Sequence, residues 1–177
     1  RILLQMMQDV DLMIDRIEMV DPEELYPLLV VDRDQAELRP LSPMQRDMYL
    51  DSLIDPSTLK NSLGYHFITD GEFDCEQWIQ AAQLVVDSQP LLRSRILRSD
   101  LPFTDVAYLQ VQRSKKIDVQ VEDWSDRITS DVEAAEFAKK LIWKPYDIEG
   151  ELSEYFVFKL NGGRHLIVFR MNHIVLD

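Results

Sequence analysis

Three histidines are the side chains best suited to acid–base chemistry in this chain of 177 residues: His66, His165 and His173. Imidazole has an unperturbed pKa of about 6.5, so near neutrality it can accept or release a proton. His66 falls inside a strand pattern, and His165 opens another strand beside a Gly-Gly turn, both settings for half-buried sheet residues. His173 differs. It stands just past a strand end in Met171-Asn172-His173-Ile174-Val175-Leu176-Asp177, with a carboxylate four residues later. Strand ends and the loops after them are where a rigid scaffold presents reactive groups. By itself, His-x-x-x-Asp is a short pattern of the kind that recurs by chance.

Other chemistries lack their residues. No Gly-x-Ser-x-Gly elbow is present to expose a nucleophilic serine. Neither a Gly-x-Gly-x-x-Gly nor a Walker-type phosphate loop occurs. A metal site needs three or four clustered ligands, and only His173 and Asp177 lie close in sequence, so no metal is expected. The single cysteine, Cys75, excludes an intrachain disulfide and fits a reducing, cytoplasmic compartment. It opens a helical pattern without a second ligand nearby, so a structural thiol is expected rather than a nucleophile. The formal charge of −13 argues against a nucleic-acid partner, since Arg93/Arg95/Arg98 and Arg113/Lys115/Lys116 are the only basic clusters. No apolar run is long enough to span a bilayer, so no membrane association is expected. The 46% hydrophobic content is that of an ordinary globular protein.

The elements that must position these residues read as a mixture of helices and strands. Leu3, Met6, Val10, Met13, Ile17 and Val20 recur at spacings of three and four, the seam of a helix over residues 1–20. That helix either lies on its own domain or docks onto another domain or subunit. Residues 32–40 read as a linker. Ser42 then caps a helix with Pro43 at its first position and Met44, Met48, Tyr49 and Leu53 as its apolar face. A strand is predicted over 63–69, then a helix over 73–86 burying Trp78, Ile79, Ala82, Val85 and Val86. Short strands follow near 95–97, 106–111 and 119–122, and Thr129-Ser130-Asp131 caps a helix over 131–142. Two strands, 155–160 and 165–171, are joined by the hairpin signal Asn161-Gly162-Gly163. The second is apolar on both faces except at His165 and Arg170, so it belongs in the centre of a covered sheet. Without regular βαβ alternation, the class is α/β or α+β with a mixed sheet. A start at Arg1 and a stop directly after this strand lead us to expect an excerpt of a longer polypeptide, lacking a C-terminal portion.

Four segments, in order, resemble motifs of the condensation domains of nonribosomal peptide synthetases, within the chloramphenicol-acetyltransferase-like superfamily. They are Leu41-Ser42-Pro43-Met44-Gln45-Arg46-Asp47-Met48-Tyr49-Leu50, Leu91-Leu92-Arg93-Ser94-Arg95-Ile96, Pro145-Tyr146-Asp147-Ile148, and Asn172-His173-Ile174-Val175-Leu176-Asp177. The last resembles His-His-x-x-x-Asp-Gly cut off before its glycine. Together they cover about residues 40–177, leaving 1–39 as a separate amphipathic segment and linker.

The resemblance implies one lobe of a two-lobed, V-shaped domain with an active-site tunnel between the lobes. It implies two partner carrier domains, each tethering its substrate by 4′-phosphopantetheine, and an adenylation domain in the same assembly line. The domain itself would bind no cofactor. The acceptor amine attacks the donor thioester and an amide forms. His173 maps to the histidine that meets the amine. Asp177 maps to a structural aspartate paired with an arginine, for which Arg93 is the better candidate and Arg95 the alternative. Asn172 stands where the family usually has its first histidine; it can hydrogen-bond but cannot carry charge. An epimerisation or ester-forming acyltransferase domain on the same fold is the first alternative. A non-catalytic platform for carrier domains is the second. The fragment alone is expected to be inactive without its second lobe.

Overall fold

The computed structural model describes residues 31–98 and 107–176. The helix expected over residues 1–20 and the carboxylate of Asp177 lie outside the described residues. Among the described residues, seven strands and three helices follow in chain order: β1 (Ala36–Pro40), α1 (Pro43–Ile54), β2 (Ser62–Thr69), α2 (Cys75–Ser88), β3 (Ser94–Arg98), β4 (Ala107–Gln112), β5 (Val119–Asp123), α3 (Asp131–Ile142), β6 (Ser153–Lys159) and β7 (His165–Asn172). They form two sheets, β1-β4-β3 and β2-β7-β6-β5. Every pairing is antiparallel except β5 with β6. The expected mixed α/β class is therefore the observed one.

The apolar character of β7 follows from its neighbours. It sits between β2 and β6, and helices cover both faces of the sheet. Leu166 and Val168 face α3, where Ala134 and Ala138, both 0% exposed, let the helix approach closely. Phe169 and Met171 pack into the other cluster, with Val86, Trp78 and Ala82 of α2 and with Ile96, Leu109 and Val111 of the first sheet. Burying each of the larger side chains contributes about 1.5–3 kcal/mol. The β6–β7 connection turns at Gly162 and Gly163, whose φ angles of 74° and 75° suit glycine alone. Ser130 caps α3 by accepting from the Glu133 N–H at 3.2 Å, as its sequence predicts.

Three expectations are corrected. Residues 36–40 are no linker: they form β1, paired along its length with β4. Ala36 and Leu38 point inward, while Glu37 and Arg39 form an exposed ion pair, a pattern too short and too charged to read as a strand in isolation. The buried face of α1 is also shifted. Met44 and Leu53 are exposed, and the polar Gln45 and Ser52 are buried beside Tyr49. Hydrogen bonds account for both: Ser52 Oγ donates to the Met48 carbonyl, and Gln45 is bonded at both ends of its amide. On α2, Val85 is exposed where the helical pattern placed it inside.

Candidate active site

At the end of β7 the chain turns sharply into a single 3-10 turn, His173–Val175. Asn172, 2% exposed, starts the turn. Its backbone N–H donates to the Leu152 carbonyl at 2.8 Å, and its side-chain Oδ1 accepts from the Ile174 N–H at 3.0 Å. The His173 N–H donates to the Asn61 carbonyl at 2.8 Å, just before β2. Asn61 in turn donates from Nδ2 to the Met48 carbonyl of α1 at 3.4 Å. The Ile174 carbonyl accepts from Gln45 Nε2 at 2.9 Å, and the Leu176 N–H closes the turn onto the His173 carbonyl. Ile174 and Val175 are buried with Leu41, Tyr49, Leu152 and Tyr155. The backbone around His173 is thus tied to α1, to the start of β2 and to the core.

The His173 ring itself is half-buried rather than enclosed in the core. Its Nδ1 is shut away from solvent with no hydrogen-bond partner among the described residues. Nε2 is the nitrogen left to meet another molecule. His66 and His165 are half-buried in strands, and His165 packs on Phe73 with ring centroids 4.9 Å apart.

Neither arginine proposed to hold the site bonds to the His173 turn among the described residues. Arg93 donates from Nε to the Gln112 carbonyl at 3.0 Å, and from Nη1 to the Val86 carbonyl at 2.9 Å and the Asp87 carbonyl. It closes the C-terminal end of α2, where a cation satisfies orphan carbonyls and complements the helix dipole. Arg95 is exposed and donates to Gln110 Oε1 at 2.6 Å across β3 and β4. The residues that do hold the turn beyond Asn172 are Gln45 and Asn61. Ser42-x-x-Gln45 is legible in sequence as a capping box, but its bond to Ile174 is not. A cleft of about 530 Å³ opens beside Gln45, which lines it with Leu41, Pro90, Leu91 and Leu109 among others.

Cys75 is partly buried, and that burial raises its thiol pKa, which disfavours the nucleophilic thiolate. Among the described residues no group of three or more His, Cys, Asp or Glu side chains could hold a metal ion. No helix among them is long and apolar enough to cross a membrane.

The family model of the condensation domain matches residues 35–177. The chain belongs to the condensation domain family. Solved condensation domains share its fold. A starter condensation domain of rhizomide synthetase RzmA superposes with a TM-score of 0.67 at 16% identity, over 86% of this chain and 33% of that one. The first condensation domain of the CDA synthetase gives 0.62 at 21% identity, over 77% of this chain and 34% of that one. The same domain of the calcium-dependent antibiotic synthetase, holding a substrate analogue, gives 0.63 at 20% identity. This chain spans about a third of the length of these condensation domain structures.

Proposed function

We propose that this chain supplies the His173-bearing lobe of a condensation domain that joins a carrier-bound acyl or peptidyl thioester to the amine of a carrier-bound aminoacyl acceptor. One observation carries the reading: a strand-end histidine whose backbone is fixed from several elements while its ring stays half-exposed. A free α-amino group has a pKa of roughly 7.7–8.0, so a useful fraction is already neutral near pH 7.5. As its nitrogen bonds to the thioester carbon it turns acidic, and Nε2 of His173 takes the proton. The C–S bond then breaks, and the proton passes on to the departing thiolate. The same nitrogen, if protonated, would instead donate to the developing oxyanion, and if neutral would hold the amine by accepting from its N–H.

Asn172 cannot titrate, and its part is to hold the turn by accepting from the Ile174 N–H. Asp177 and Arg93 are assigned the structural pairing that the family pattern implies; the Arg93 guanidinium is half-buried and bonded to three carbonyls already. The partners are donor and acceptor carrier domains, whose 4′-phosphopantetheine enters as part of the substrates, and an adenylation domain of the same assembly line. A rhizomide starter domain structure holds C8-CoA, which makes an acyl thioester of that kind a reasonable first donor probe.

The test is a transfer assay on the complete domain with two loaded carriers, comparing wild type with His173→Ala. Loss of general-base help lowers the rate by about 10²–10⁴-fold. Equal product from both proteins would leave a non-catalytic carrier platform as the reading. An ester product, or an inverted α-carbon, would identify one of the related activities on the same fold.

A further inference from the structure

We propose that Gln45 is a positioning residue for His173, an inference that rests on His173 being the group that meets the acceptor amine. Gln45 occupies the third position of α1, where a capping box accepts either Glu or Gln. Helix energetics alone would favour Glu. The first turn of α1 contains no acidic residue, and a carboxylate there would complement the positive end of the helix dipole. The amide is required by a second bond that reaches 129 residues along the chain. Oε1 accepts from the Ser42 N–H at 3.0 Å, which a carboxylate would do as well. Nε2 donates to the Ile174 carbonyl at 2.9 Å, which a carboxylate cannot do.

Ile174 directly follows His173 and is 0% exposed, while Gln45 is 5% exposed, so water cannot replace the missing donor. The Ile174 N–H is already held by Asn172 Oδ1. Both backbone polar groups of this residue are therefore fixed by side chains, one from β7 and one from α1. Releasing the carbonyl lets the turn shift and takes the His173 imidazole with it. A displacement of about 1 Å from productive geometry can cost about 10²-fold in rate.

Two substitutions separate this role from helix capping. Gln45→Glu keeps the acceptor for the Ser42 N–H but faces the Ile174 carbonyl with a carboxylate oxygen. Ser42→Ala removes the hydroxyl that accepts from the Gln45 N–H at 3.1 Å, yet leaves the backbone N–H that Gln45 Oε1 needs. Melting temperature, kcat and KM are measured on the complete domain with loaded carriers, well below every melting point, with His173→Ala alongside. The expected result for Gln45→Glu is a kcat lower by about 10- to 100-fold with KM little changed. Ser42→Ala should melt up to about 4 °C lower with wild-type kcat. Should the buried carboxylate prevent folding, Gln45→Met, neutral and similar in volume, must show the same selective loss of kcat. Wild-type kcat in the folded Gln45 variant, or an equal loss in Ser42→Ala, overturns the role of Gln45. If His173→Ala is itself fully active, the reading of His173 fails first; an inactive His173→Ala beside a fully active Gln45 variant refutes Gln45 alone.

Discussion

Arg170 is the side chain whose loss should damage the fold most directly. It projects from β7 toward α3 with its side chain 7% exposed. Its Nε donates to Glu154 Oε2 on β6, and its Nη1 to the carbonyls of Leu141 and Lys144, each at 3.1 Å. The guanidinium lies 4.2 Å from the centre of the Tyr146 ring. One cation therefore joins two strands, the end of α3 and the Pro145-Tyr146 segment. Arg170→Met keeps most of the apolar stem and removes every one of these bonds. Breaking one side of a buried pair costs about 3–5 kcal/mol. The Glu154 side chain is 31% exposed, so water recovers part of its charge and the lower end applies. Losing the charged donor to two carbonyls adds about 1 kcal/mol more, which gives about 4 kcal/mol in all. Urea unfolding of the complete domain measures it. Glu154→Gln should cost only about 1 kcal/mol, because Arg170 keeps its carbonyl partners and the new amide can still accept. Arg170→Met combined with Glu154→Leu should recover most of the loss by removing the stranded carboxylate. A single Arg170→Met variant within 1 kcal/mol of wild type, or a double variant no better than the single, would refute the reasoning.

Two further perturbations test the packing around the same helix. A Cβ on Gly64 of β2 would lie 2.7 Å from the Phe169 carbonyl oxygen and 2.9 Å from Ile142 Cγ1, at the end of α3. Backbone cannot yield as a flexible side chain does, so Gly64→Ala should destabilise by about 1–3 kcal/mol, read as a lower urea midpoint. The Tyr146 hydroxyl is buried with no hydrogen-bond partner among the described residues. Tyr146→Phe should therefore leave stability unchanged or raise it by up to about 1 kcal/mol. Burial also pushes the Tyr146 pKa well above the usual phenol range, with the Arg170 charge opposing it less strongly. Above about pH 10 the unfolded chain then sheds this proton while the folded chain keeps it, so stability falls as pH rises. Tyr146→Phe should flatten that fall between about pH 10 and 12 in chemical denaturation, and an unchanged slope would contradict it.

Much of the architecture was legible from local patterns. The doubly apolar run of β7 required a central strand, Asn161-Gly162-Gly163 required a tight reversal, and Thr129-Ser130-Asp131 marked the start of α3. Each is set by neighbours within a few residues, where backbone sterics, capping and side-chain periodicity act. The ordered motifs likewise pointed to the family whose model matches residues 35–177. The assignments that failed depended on contacts distant in sequence. β1 is a strand only because β4 lies beside it. Gln45 is buried only because the turn after β7 brings the Ile174 carbonyl to its amide. Hydrophobic periodicity ranks a glutamine as a surface residue. Only the folded chain supplies the acceptor that makes its burial favourable, because a hydrogen bond needs two groups brought together while a propensity needs only one.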